Sequence, residues 1–183
     1  MPATSRPRLG CITLAIVVGA LVIGGRAFAS WILEYEWWKE LGHVETWLSM
    51  MGYAIAPAAA VAVVAFAVFW TAHARGMKAA GTGLREHSSY AWLATLLLVG
   101  ASALFAAALV DSWTVVRYFG GHGMSGDAWK DPAFGEPLSF YLFDLPFYSM
   151  LLRAVLGLCI AGGVAYYLTT RAWQVRRNFP ETP

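Results

Sequence analysis

The residues best suited to hold a cofactor are the histidines His43, His73 and His87. Imidazole is the usual axial ligand of haem. All three fall near the ends of apolar runs, at membrane faces and not mid-span, which makes them weak ligand candidates. His122 stands close to Asp127 and Asp131. A metal there would want a spacing such as H-E-x-x-H, which is absent, so a solvated loop is the plainer reading. A second group is ionisable. Arg26 and Arg153 fall inside apolar runs, with Asp111 and Asp144 expected near the same outer depth. Ionisable groups within a membrane are candidates for a transport path. The competing expectation is that both arginines reach out to the headgroups and pair with those acids. No nucleophile–base pair, P-loop or paired-carboxylate motif is present, so an enzyme is not expected.

The elements that must position these residues are membrane helices. Hydrophobic residues make up 58% of the chain and charged residues 13%, about half the charged share of a soluble domain. Nine tryptophans fit the aromatic belts of a bilayer. A net charge of +2 offers no nucleic-acid footprint. The two cysteines, Cys11 and Cys159, are expected as buried thiols in apolar spans, too few for a disulfide framework. Leu9-Gly10-Cys11 precedes its apolar run, which argues against lipidation.

Residues 1–8 are polar and basic, and a span is expected over 9–31. Cleavage before Ser30, after Ala27-Phe28-Ala29, is the competing reading; an uncleaved anchor is expected. Residues 32–46 are too polar to cross. Trp37, Trp38, Leu41 and Val44 recur at helical spacing there, which predicts an outer interfacial helix that Gly42 weakens or ends. A second span is expected over 47–72. It contains Pro57, which predicts a kink, and a stripe of Ala54, Ala58, Ala62 and Ala65 suited to close helix packing. A basic loop over 73–87 leads to a third span at 88–112. An outer glycine-rich loop and aromatic segment follow over 113–145. Leu138–Leu145 reads as a short helix or re-entrant piece, with Asp144 against the positive end of a helix that begins at Pro146. The fourth span covers 146–170 and ends in a basic tail, 171–183.

Charge sets the expected orientation. The N-terminus, the 73–87 loop and the tail hold eight of the thirteen Lys/Arg residues but two of the eleven acids. Positive residues remain in the cytoplasm. Both termini are therefore expected inside, and the tryptophan-rich and glycine-rich segments outside. The expectation is an all-α integral membrane protein with about four transmembrane helices, an outer interfacial helix and an aromatic outer cap. That cap is Asp131–Tyr148, restrained by Pro132, Pro137 and Pro146 and too aromatic to leave in water.

Two motifs carry a family resemblance. The first is Asp131-Pro132-Ala133-Phe134-Gly135, then Leu138-Ser139-Phe140-Tyr141-Leu142-Phe143 and Leu145-Pro146-Phe147-Tyr148. The second is Trp37-Trp38-Lys39-Glu40-Leu41-Gly42. In order and spacing they resemble uncharacterised bacterial membrane protein family one-eighty-two, and with the spans they cover most of the chain. The resemblance implies a multi-span protein of unknown activity. It also implies members several times longer, with more spans and a large outer domain. This chain is then either the front part of a longer product or a short relative. No catalytic residues carry over.

The expected function is a structural or accessory subunit of a larger membrane assembly in the bacterial cytoplasmic membrane. Its partners would be the lipid bilayer and other membrane subunits, with no nucleic acid. A transporter or channel component is the first alternative. A pigment- or haem-associated subunit of an energy-transducing complex is the second. The sequence names no cofactor.

Overall fold

The computed structural model describes residues 7–84, 88–121 and 129–178. The elements are α1 (Pro7–Glu40), α2 (Val44–Ala79), α3 (Ser88–Leu109), α4 (Ser112–Gly121), a π-helical turn (Phe140–Asp144) and α5 (Leu145–Asn178). Among the described residues there is no strand, only an isolated bridge between Lys130 and Pro137. The chain divides into two compact units, Met1–Met51 and Gly52–Pro183.

In the first unit α1 is one helix of 34 residues, about 51 Å at 1.5 Å per residue. The expected break at Trp31, with a separate interfacial helix over 32–46, does not occur. No proline or glycine interrupts the chain from Ala27 to Leu41. Lys39 and Glu36 pair one turn apart at 3.1 Å, so helix propagation continues through Glu40. Gly42, at φ +71°, ends it. Its N–H donates to the Lys39 carbonyl, and the His43 N–H donates to the Trp38 carbonyl, at 3.1 and 3.0 Å. That is the Schellman closure, which needs a left-handed residue at this position. Tyr35 and Trp47 then meet edge-to-face at 5.7 Å across the turn.

Among the described residues three helices are long and apolar enough to cross a membrane: Val44–Ala79, Ser89–Leu109 and the continuous stretch Phe140–Asn178. Their bounds differ from the expected ones. α2 runs through His73 to Ala79, so half of the expected 73–87 loop is helical; helix formers such as Ala, Arg, Met and Lys carry it on. A second Schellman closure ends it at Gly81, with Gly81 N–H to Lys78 O at 3.0 Å and Thr82 N–H to Met77 O at 3.1 Å. α2 passes Pro57 without losing its helical assignment.

The expected 113–145 loop begins with α4 instead. Asp111 creates it as N-cap: its carboxylate accepts from the Trp113 N–H at 3.2 Å and from the Thr114 hydroxyl at 2.5 Å. The last helix starts at Leu138, not Pro146. Pro146 has no N–H to give, and one extra residue is absorbed in the turn before it. The Leu145 N–H donates to the Phe140 carbonyl, the five-residue step of a π-bulge. Asp144 thus lies inside a helix rather than ahead of its first turn.

In the second unit α2, α3 and α5 pack through small residues. Ala65, Ala94, Ala106 and Ala154 are buried, with Phe69 set edge-to-face on Phe105 at 5.7 Å. A Cβ on Gly157 would come within 3.3 Å of Phe105, and one on Gly162 within 3.1 Å of Val68. Of the expected alanine stripe only Ala65 is buried; Ala54 is exposed. The contact line runs instead down the later half of α2, through Ala65, Phe69, His73, Gly76 and Met77. Cys159 is exposed on α5, correcting its expected burial. In lipid such a thiol faces acyl chains at no solvation cost.

Candidate functional site

Besides the cationic ends of α2 and α5, the polar groups described in the second unit collect in three places. The first is His73, buried at 8% exposure. Its Nδ1 lies 2.9 Å from the Thr169 hydroxyl and its Nε2 3.3 Å from the Tyr90 hydroxyl. One side chain thereby ties α2 to both α5 and α3. Tyr90 also sits edge-to-face on Trp173 at 5.2 Å. One turn along α2, Gly76 lets the helices touch. A Cβ there would stand 2.9 Å from the Tyr166 carbonyl oxygen and 3.0 Å from Thr169 Cβ, and the Thr170 hydroxyl donates to the Gly76 carbonyl at 3.3 Å. With both ring nitrogens engaged, His73 has no lone pair turned toward a ligand.

The second place is the Asp131 turn. Gly135, at φ +72°, closes it, and its N–H donates to the Asp131 carbonyl at 2.8 Å. The Asp131 carboxylate accepts from the Ala133 N–H at 3.1 Å and from the Tyr141 hydroxyl at 2.7 Å. Those donors, the Tyr141 hydroxyl foremost, hold the Asp131 carboxyl below its usual range. The motif residues Asp131, Pro132, Phe134 and Gly135 are therefore a turn, and Ser139, Phe140, Tyr141 and Phe143 the helix start to which it is tied. Phe134 is 78% exposed and adds nothing to a packed surface. The remainder packs on α4. Phe147 stacks on Tyr118 at 4.0 Å, and a Cβ on Gly121 would meet the Phe143 ring at 2.8 Å. The Tyr118 and Tyr148 hydroxyls lie 3.4 Å apart. That hydrogen bond, with a smaller contribution from the Asp144 charge, pushes the Tyr118 phenol up.

The third place is a cavity of about 450 Å³ between α3, α4 and α5, lined by Asp111, Thr114, Pro146, Ser149 and Arg153 among others. Asp111 and Arg153 share it, as their expected depths implied, but no ion pair joins them. Asp111 is occupied as the α4 cap. Asp144 does not line the cavity. Arg26 is exposed on α1, in the other unit.

His43 is exposed in the turn after α1. His87, His122 and Asp127 lie outside the described residues. Among the described residues no three His, Cys, Asp or Glu side chains converge as a metal site would require. Trp37 and Trp38 meet edge-to-face at 5.3 Å, and Glu40, Leu41 and Gly42 complete the helix end. α4 and the π-turn escaped sequence reasoning. Asp111-Ser112 as a cap signal and Pro146 within a helical pattern were the available clues.

A family model described as "Uncharacterised protein family (UPF0182)" matches residues 11–180. The chain belongs to that family. The UPF0182 protein of Solibacter usitatus is 46% identical over 182 residues, covering 98% of this chain and 20% of the relative. That of Arthrobacter sp. (strain FB24) is 27% identical over 92% of this chain and 18% of the relative. That of Mycolicibacterium vanbaalenii is 30% identical over 83% of this chain and 16% of the relative. The chain thus spans about a fifth of the length of the curated UPF0182 relatives it matches, consistent with an N-terminal region of the family. No solved structure matches it.

Proposed function

We propose that this chain is a membrane-embedded structural module of a larger assembly, without catalysis of its own. One observation carries the reading: the span-length helices bury little against one another, with 11–17% of their most apolar windows inside the fold. Lipid tails supply no hydrophobic drive for helices to associate, so close packing between small residues must do it. Gly52, Gly100 and Gly163 have nothing within 4 Å of where a Cβ would stand. A glycine within a helix costs about 0.5–1 kcal/mol relative to alanine. Open glycine faces of this kind suit neighbouring helices that approach closely, whether from the same long product or from other subunits.

In this reading α1 is a fourth span in addition to α2, α3 and α5, in the bacterial cytoplasmic membrane with both termini cytoplasmic. Trp37 and Trp38 lie at headgroup depth. Asp131–Tyr148 caps the outer side through its packing on α4. A transporter or channel component is the second reading, favoured by Arg153 and Asp111 lining one cavity. The haem or pigment reading would have to use His43 or His87.

Cross-linking in intact membranes, followed by purification in mild detergent, tests the proposal. Defined partner polypeptides, or contacts with further spans of the same product, are expected. A lone chain without cross-links to other membrane segments would contradict it, and solute flux by such a lone species would favour the second reading.

A further inference from the structure

The C-terminal ends of α2 and α5 lie together and enclose two adjoining cavities of about 250 and 450 Å³. Both are lined by Ala80, Gly81 and Arg177. The first adds Trp173 and Arg176, the second Lys78 and Gln174. Three cationic residues thus line the pair of cavities, Arg177 both of them, and among the described residues no acidic side chain lines either. The acids nearest in sequence, Glu86 and Glu181, lie outside the described residues.

The arrangement is built rather than incidental. A Cβ on Gly81 would stand 2.7 Å from Arg177 Nη1, so the glycine that closes α2 also makes room for the guanidinium. The Arg176 guanidinium lies 5.3 Å from the Trp173 ring centroid, a cation–π distance. Trp173 in turn is fixed against Tyr90. Two helix C-termini oppose an anion here, each equivalent to about half a negative charge. At α2 the Schellman bonds occupy the Met77 and Lys78 carbonyls. Three full cationic charges exceed what the helix ends offset.

We propose that this pocket binds the phosphate headgroup of an anionic phospholipid. Its position selects the lipid. α2 and α5 are two of the helices long and apolar enough to cross a membrane, and in this reading their basic ends reach the headgroups. Earlier along α5, Val164 and Leu168 are exposed apolar side chains that acyl chains would cover. A basic pocket between helix ends with an aromatic wall matches the chemistry of an anionic headgroup. The inference rests on the membrane placement of these helices, not on the accessory role proposed above.

Native mass spectrometry of the delipidated chain in non-ionic detergent tests it, titrating phosphatidylglycerol, phosphatidylcholine and inorganic phosphate. Phosphatidylglycerol is expected to bind preferentially, and less so at high salt. Replacing Lys78 and Arg177 together by Gln should weaken it by about fivefold for each lost charge. Arg153→Gln, at the other end of α5, should leave binding unchanged. Circular dichroism reports whether each variant is folded; if the double variant is not, the wild-type contrast between the two lipids decides. Equal binding of both lipids would overturn the proposal, as would undiminished binding by a folded double variant. Inorganic phosphate displacing the lipid at matching concentration would assign the pocket to free phosphate instead.

Discussion

The two ends of α5 are held by different means. At its late end, Thr169 and Thr170 face a buried histidine and a glycine on α2, and the helix backbones nearly touch. At its early end, Tyr141, Phe143 and Phe147 hold a turn and a short helix by rings and by one aspartate, mostly in exposed or half-exposed positions. Close approach tolerates no added volume. Ring stacking on an open surface tolerates a good deal. The late end is therefore the rigid joint and the early end the adaptable one, where a partner or the membrane face can reshape contacts.

The sharpest way to break this contrast is volume. Gly76→Leu drives carbon into the Tyr166 carbonyl and Thr169, and should cost on the order of 2–3 kcal/mol, read by unfolding in mixed micelles. A loss no larger than that of Gly121→Ala, whose Cβ meets the single Phe143 ring, would erase the distinction. Next comes polarity. His73→Phe leaves the Thr169 and Tyr90 hydroxyls without their partner, and should cost about 0.6–1.7 kcal/mol, the range seen for hydrogen bonds between membrane helices. Full restoration by pairing it with Thr169→Val would identify that hydroxyl as the group left unsatisfied.

The smallest effect belongs to the early end and is a pH effect. The Asp131 carboxyl is held below its usual value, by Tyr141 first and the Ala133 N–H second. Its stabilisation of the turn is therefore complete above the carboxylate's unfolded value, near 3.9, and disappears as pH falls through the lower folded value. Protection of the Ala133 amide, measured against its intrinsic exchange rate at each pH, should fall on acidification through that window. Tyr141→Phe should move the onset to higher pH; an unchanged profile would mean that the hydroxyl does not hold the carboxylate.

Much of this architecture was legible because apolar runs and glycine stops are local signals. Gly42 was readable as a helix end. The runs at 47–72, 88–112 and 146–170 foretold the helices that became α2, α3 and α5. Boundaries failed where a helix outran its apolar stretch, as α1 does through Glu40 and α2 through Ala79. Polar helix formers continue a helix as readily as apolar ones, and hydropathy is blind to that. His73 was misjudged for the same reason. Placed in a loop, it looked like a lone interfacial histidine, and its partners Tyr90 and Thr169 lie 17 and 96 residues away. The Asp131 motif was recognised as a unit, but the division of labour between an exposed Phe134 and a bonded Tyr141 depends on the fold.

The central claim is that these helices are embedded in a membrane with the Asp131 turn outside. Single cysteines in a background lacking Cys11 and Cys159 test it most directly, probed in intact cells with a membrane-impermeant maleimide. Phe134→Cys, at a 78% exposed site, should label fully, and Gly83→Cys, beyond the end of α2, should label only after lysis. Labelling of Gly83→Cys in intact cells with Phe134→Cys protected would invert the topology. Equal labelling of both without lysis would contradict membrane embedding altogether.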